Sequence, residues 1–377
     1  MIYIDKYEKA LEYCTACPKL CHFACPASHA AAREAVTPWG KMSILNLLRK
    51  GRLELTFENA EPIHNCLACG LCTVFCEHHI DVGLILTEGR AWLESQGITH
   101  PGYAELKENF AARGHAARSD LDTVLRTSLK DELFNAEAEV VFIPGTRALA
   151  ERPQEVVAVF RIFEILGIDF VACAPASLCS GHELWRAGLS ENFKAHASAA
   201  ASKLLEKRLV ICADSEDLFC FDQVYPQLGY PLAERSRHIS EFLLPYLENR
   251  GGLKRCDLSR VEQESSYLTR HLGRASASRR ILAMIFNGEA KESGYDAAAV
   301  YPCGNEAAFA FACPENARGV ADERMRQIRL AAAESIVATD AASAAALDGF
   351  KLSGETGPQT LIEILYRSLE DSDVRQP

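Results

Sequence analysis

Eight of the fifteen cysteines fall into two dense runs near the start of the chain, Cys14-x2-Cys17-x3-Cys21-x3-Cys25-Pro26 and Cys66-x2-Cys69-x2-Cys72-x3-Cys76. Spacing this tight lets three thiolates grip one cubane iron–sulfur cluster from a single loop, while the fourth reaches across to a cluster held by the other loop. Two [4Fe-4S] clusters are therefore expected. Cys14, Cys17 and Cys21 would hold the first with Cys76 as fourth ligand, and Cys66, Cys69 and Cys72 would hold the second with Cys25. Two departures from the usual run leave the ligands intact: three residues separate Cys17 from Cys21, and Glu77 stands where a proline commonly follows the last cysteine.

Zinc and disulfides are the competing uses of such thiols. A structural zinc site takes four ligands in two pairs, and eight thiols in two runs of four overshoot that pattern. Disulfides belong to oxidising compartments, whereas the opening Met1-Ile2-Tyr3-Ile4-Asp5-Lys6 has no apolar core of a secretory signal. A reducing cytoplasm is the expected location, with peripheral attachment at the inner face of a membrane through a partner as a further expectation.

The 377 residues are enough for two or three domains, and 48% hydrophobic with 24% charged residues is ordinary for a globular protein. No apolar stretch approaches the length of a membrane span. Forty basic against fifty-one acidic residues give a net charge of −11. Nucleic-acid binding usually needs a basic stripe, and only short pieces such as Arg274 to Arg280 are basic. An acidic electron carrier would instead meet positive patches on its partners. No G-x-G-x-x-G opens a helix after a strand and no Walker A run occurs, so nothing points to a flavin, nicotinamide or nucleotide held by this chain itself.

The elements that must position the thiols read as helices. Gly40 to Lys50 carries apolar residues at helical spacing and meets Gly51, and Val82 to Gln96 repeats the pattern before Gly97. From about residue 138 short β-branched runs alternate with amphipathic helices. Strands are expected at Val140–Ile143, Ile168–Ala172, Leu209–Ala213, Ala298–Tyr301 and Ser335–Ala338. Helices are expected over 153–166, 190–207, 240–249, 275–285, 317–333 and 358–369. Asn249-Arg250-Gly251-Gly252 is the best boundary between two halves of this region. The expected architecture is thus α+β and multidomain: a helical dicluster ferredoxin-like domain over 1–135, then two tandem small α/β modules over 136–250 and 251–377.

Quartets followed by two such modules resemble the iron–sulfur subunits of heterodisulfide reductase, anaerobic glycerol-3-phosphate dehydrogenase and glycolate or lactate oxidase. Thr37-Pro38-Trp39-Gly40-Lys41 looks like that family's link after the first Cys-Pro, and the resemblance covers nearly the whole chain. In the family each module offers an early cysteine, a CCG and a later C-x2-C that together can hold a further cluster. Here Gly145-Thr146, Cys179-Ser180-Gly181 and Asp214-Ser215-Glu216-Asp217 stand at those places in the first module, before Tyr225-Pro226. Arg270-His271-Leu272-Gly273-Arg274, Pro302-Cys303-Gly304 and Asp340-Ala341-Ala342-Ser343 stand at them in the second. One cysteine of each set survives. Aspartate and serine are hard oxygen donors that suit an iron–sulfur core poorly, so the extra cluster and the disulfide-cleaving chemistry of some relatives are expected to be absent. The modules would serve as a docking scaffold.

What the resemblance implies is an electron-transfer subunit, itself non-catalytic. It would pass single electrons through its two clusters between a flavoprotein dehydrogenase or electron-transferring flavoprotein and a downstream acceptor, with a quinone-linked membrane subunit as a further partner. Two readings from other classes stand beside it: an enzyme using a residual metal centre at Cys179 and Cys303, helped by Asp214, Asp217 or Asp340, and an assembly protein with structural clusters. The default for Cys173, Cys179, Cys212, Cys220, Cys256, Cys303 and Cys313 is a buried packing role. His22, His64, Trp39 and the pair His78-His79 flank the quartets, where they either pack or tune a cluster.

Overall fold

Short, individually capped helices follow from the sequence of the first hundred residues. Thr37 accepts a hydrogen bond from the Gly40 amide and Pro38 takes the first helical position, so a helix runs over Pro38–Arg49. Asp81 accepts from the Leu84 amide and starts the helix Val82–Ser95, which ends where Gly97 turns left-handed at φ +79 and the Ile98 amide reaches back to the Leu93 carbonyl. Thr56 caps the helix Phe57–His64 in the same way. The computed structural model describes residues 3–292, 299–306 and 308–373. No strand occurs among the described residues before Val140.

The chain divides into two compact units. Unit 1 takes in Met1–Glu108, His182–Lys194 and Tyr295–Met325, and unit 2 takes in Asn109–Gly181, Ala195–Gly294 and Arg326–Pro377. In unit 1 the apolar stripes of the helices close on a core that includes Ile4, Leu11, Met42, Leu45, Ile63, Leu86 and Leu93. Gly89 permits that closure, because a Cβ there would lie 2.7 Å from Leu45 Cδ2.

Unit 2 holds two small parallel sheets. Strands β1 (Val140–Ile143), β2 (Val171–Cys173), β3 (Leu209–Cys212) and β4 (Ser236–His238) form one sheet in the order β2-β1-β3-β4. Strands β5 (Arg260–Gln263), β6 (Ser335–Ala338) and β7 (Gln359–Thr360) form the other in the order β5-β6-β7, and every pairing is parallel. All four residues of β1 are buried, as expected of a parallel strand covered on both faces. Phe142 meets Phe160 and Phe163 edge-to-face at 5.8 and 6.2 Å in the core beside it.

Several expectations shift. The second strand is Val171–Cys173, not Ile168–Ala172, because Gly167 turns the chain at φ +68 and the extended pairing begins only after Phe170. Of the strand expected at Ala298–Tyr301, Ala298 lies outside the described residues, and Ala299–Tyr301 is buried without joining a sheet. The helices keep their places with moved ends: Pro153–Ile165, Ser190–Leu204, Ile239–Arg250, Ser276–Ile285, Pro314–Leu330 and Leu361–Asp373. Both Gly251 and Gly252 take positive φ after the helix that ends at Arg250.

Candidate iron–sulfur site

Helix ends place the first quartet. Cys14 lies in the last turn of the helix Glu8–Ala16, Cys17 is its C-cap, and Cys25 is the N-cap residue of the helix Pro26–Ala31. The second quartet leaves the helix Phe57–His64 and winds through left-handed Ala68 (φ 55) and Gly70 (φ 72) into the short helix Leu71–Val74. These turns let Cys66, Cys69 and Cys72 share one loop.

Unit 1 brings the eight thiols to two hollows. Cys14, Cys17, Cys21 and Cys76 line a cavity of about 290 Å³ with Trp39, Ile80 and Val82 among its walls. Cys25, Cys66, Cys69 and Cys72 line a narrower one with Pro38, Lys41 and Gly83, and Cys72 borders both. Cys25, Cys66 and Cys69 are buried, whereas Cys72 and all of Cys14, Cys17, Cys21 and Cys76 are half-exposed. Among the described residues no three His, Cys, Asp or Glu side chains converge as they would on a single ion; the thiols surround hollows.

The electrostatics of these hollows suit a group that brings its own positive iron. Burial, and then the repulsion of Cys21, Cys76 and Cys17, pushes the Cys14 thiol up to about 12. Cys21 is pushed up to about 11 by burial and by Cys76 and Cys17. Burial and the crowd of Cys69, Cys66, Cys25 and Cys21 hold Cys72 well above the ordinary thiol range. Bound iron would remove that penalty, since metal coordination deprotonates a thiol outright.

Around the second hollow the charge is reversed. Lys41, 1% exposed, places Nζ 3.7 Å from Cys25 Sγ and donates to the Asn65 carbonyl at 2.9 Å. Arg90, 2% exposed, donates from Nε, Nη1 and Nη2 to the carbonyls of Ile63, Arg186 and Cys66 at 3.1, 2.7 and 2.9 Å. Neither forms an ion pair with an Asp or Glu among the described residues. Burial pushes the Cys66 thiol up, yet Lys41 and Arg90 pull it to a net value below the ordinary range. Two buried cations without a carboxylate partner are costly unless an anion sits beside them, and an iron–sulfur core with four thiolates is such an anion. The residues fit the group.

Lys41 and Arg90 are residues beside the second quartet that the cysteine pattern does not announce. Their signal is periodicity: Arg90 stands four residues after Leu86 and three before Leu93, on the mainly apolar buried face of the Val82–Ser95 helix. Lys41 likewise interrupts the buried face of Pro38–Arg49.

The flanking residues divide. Trp39 donates Nε1 to the Thr15 carbonyl at 3.3 Å and walls the first cavity. His78 is exposed, lines the same cavity and lies 5.1 Å from the Tyr13 ring. His79 is exposed, and His22 pairs with Glu34 at 2.9 Å on the surface. His64 is buried beside His100 and Tyr103, and burial, with Arg90 and His100, holds it neutral, well below the usual imidazole range.

The remaining cysteines are buried apart from half-buried Cys256. Cys179 belongs to unit 2, where its Sγ lies 3.4 Å from the Gly114 carbonyl and 3.9 Å from His196 Nε2; Cys303 belongs to unit 1, where its amide donates to Glu306. The carboxylates of Asp214, Asp217 and Asp340 each accept from a backbone amide. Asp214 accepts from the Glu216 amide, Asp217 from the Ser180 amide, and Asp340 from the Ser343 amide, each at 2.7 Å.

Comparison with known proteins also points to iron–sulfur chemistry. Residues 10–80, which contain all eight quartet cysteines, match the 4Fe-4S dicluster domain family. The chain is 24% identical over 295 residues to a subunit of the dihydromethanophenazine:CoB–CoM heterodisulfide reductase of Methanosarcina mazei, covering 75% of this chain and 70% of that protein. The corresponding reductase subunits of Methanosarcina barkeri and Methanosarcina acetivorans are each 25% identical, over 60% of this chain and 58% of their own length. The chain thus carries a match to a 4Fe-4S dicluster domain and is similar to this heterodisulfide reductase subunit over 75% of its length. Among the described residues no helix is long and apolar enough to cross a membrane.

Proposed function

We propose that this chain is a relay subunit that carries single electrons through two [4Fe-4S] clusters between a flavoprotein dehydrogenase or electron-transferring flavoprotein and a downstream acceptor. The observation that carries the reading is the pair of adjoining hollows, one lined by Cys14, Cys17, Cys21 and Cys76, the other by Cys66, Cys69, Cys72 and Cys25, with Cys72 bordering both. When bound, such clusters accept and release one electron at a time, which divides the two-electron chemistry of a flavin into single steps. Cys14, Cys17, Cys21 and Cys76 would hold one, and Cys66, Cys69, Cys72 and Cys25 the other. Trp39, Ile80 and Val82 limit water at the first. Tyr13, Leu20, Phe23 and Val74 are large apolar side chains left exposed on or beside the first quartet loop and the short helix near Cys76, which supports approach of a protein partner from that side.

The segments 136–250 and 251–377 are proposed as two degenerate modules, each contributing one parallel sheet. Asp214 and Asp340 cap helices in this chain. That supports a scaffold role for the modules in place of the heterodisulfide chemistry named for the relatives.

Serine substitutions test the ligand sets. In anaerobically reduced protein, Cys25→Ser should alter the same electron paramagnetic resonance signal as Cys69→Ser, and Cys76→Ser the same signal as Cys17→Ser. Pairing of Cys25 with Cys17 instead would overturn the exchanged fourth ligands. A wild-type protein that no reduced flavoprotein or low-potential mediator can reduce would overturn the relay.

A further inference from the structure

We propose that Lys41 and Arg90 order the two potentials, raising the reduction potential at the second quartet above that at the first, so that an electron entering at the more exposed first quartet runs downhill to the buried second. The inference rests on the two-cluster reading and adds to it a direction.

Reduction adds one negative charge to the site that receives it. Burial alone opposes that charge, because a site removed from water loses the solvent that would stabilise it. By burial alone the second quartet, with Cys25, Cys66 and Cys69 buried, would therefore take the lower potential. Two fixed cations act in the opposite direction. Lys41 Nζ touches Cys25 Sγ at 3.7 Å, and Arg90 Nη2 holds the Cys66 carbonyl at 2.9 Å. Their exposures of 1% and 2% leave little water to screen them. No Asp or Glu among the described residues pairs with either.

Among the described residues the first quartet has no counterpart of this arrangement. Lys19 borders its cavity, but the side chain is 38% exposed and is paired with Glu34 at 2.6 Å. A solvated, neutralised ion pair contributes little field. The thiols that act on Lys41 are Cys25, Cys66 and Cys72, all of the second set. Two unscreened positive charges in contact with one ligand set outweigh the loss of solvent around it, and the asymmetry sets the order.

Redox titration of the complete iron-loaded chain, followed by electron paramagnetic resonance, tests this without any turnover assay. Wild type should show one cluster reduced well before the other. Lys41→Met, which keeps the stem and removes the charge, should weaken electron uptake at the earlier-reduced cluster at least tenfold, about 59 mV for a one-electron couple, and move the other much less. Lys41→Gln, which retains a donor for the Asn65 carbonyl, should do the same. Equal wild-type potentials, or a shift confined to the later-reduced cluster, would overturn the proposal. Loss of iron from both variants would also overturn it, since Lys41 would then hold the site together without tuning it. Fewer than about eight irons in wild type would instead defeat the two-cluster reading itself.

Discussion

Arg90→Met is the substitution whose cost the structure specifies most fully. The guanidinium is 2% exposed and satisfies three backbone carbonyls at once, those of Ile63, Cys66 and Arg186. Methionine fills much of the same volume and donates nothing, leaving three buried acceptors without this donor. An unsatisfied buried acceptor costs about 1–3 kcal/mol. Relaxation and the removal of one buried cation return part of the sum, so a net loss of about 3–5 kcal/mol is expected, the range for removing one partner of a buried charged network. In a unit of this size that lowers the unfolding midpoint by about 10 °C. Anaerobic thermal unfolding of iron-loaded protein, read by circular dichroism and by cluster absorbance, would measure it. Arg90→Lys should lie between the two, because an ammonium cannot reproduce the planar fork that reaches three carbonyls. A midpoint within about 2 °C of wild type for Arg90→Met, at unchanged iron content, would refute the reasoning.

Glu155 is 4% exposed, and its carboxyl is pushed up to about 8 by burial and then by Glu363. The folded chain keeps that proton while the unfolded chain releases it from about pH 4.5 upward, so stability should fall as pH rises through this window to about 8. The loss is on the order of 5 kcal/mol; Glu155→Gln should flatten the profile, and parallel profiles in denaturant titrations would contradict the assignment. Gly188 has φ +78 and would set a Cβ 2.5 Å from the Ala91 nitrogen, so Gly188→Ala should destabilise by about 2–3 kcal/mol. Gly97 has φ +79 with open space around it, and Gly97→Ala should cost only about 1 kcal/mol. Equal losses at the two glycines would show that packing against the Val82–Ser95 helix contributes nothing.

The two cysteine loops were legible because ligand chemistry fixes residue type and spacing together. Cys14 to Cys76 could be read as two sets before any helix was placed, and the helices Pro38–Arg49 and Val82–Ser95 could be read from their periodicity and terminal glycines. Strands β4, β5 and β7 were not legible. Ser236-Arg237-His238 and Arg260-Val261-Glu262-Gln263 are largely polar, and Gln359-Thr360 is two residues long; each is strand only because an apolar neighbour, β3 or β6, offers a parallel edge. The Ala298–Tyr301 expectation failed among its described residues for the converse reason, since an apolar run marks burial before it marks a sheet. Lys41 and Arg90 were written in the sequence as charges on buried faces, but their carbonyl and thiol partners lie 16 to 96 positions away, and only the fold brings them together.

The most direct test of the relay is iron and acid-labile sulfide per chain on anaerobically purified protein, with an electron paramagnetic resonance spectrum after reduction. Two [4Fe-4S] sites require about eight irons and eight sulfides, with the spectrum of two interacting reduced clusters. About four irons, or stoichiometric zinc without labile sulfide, would contradict the account.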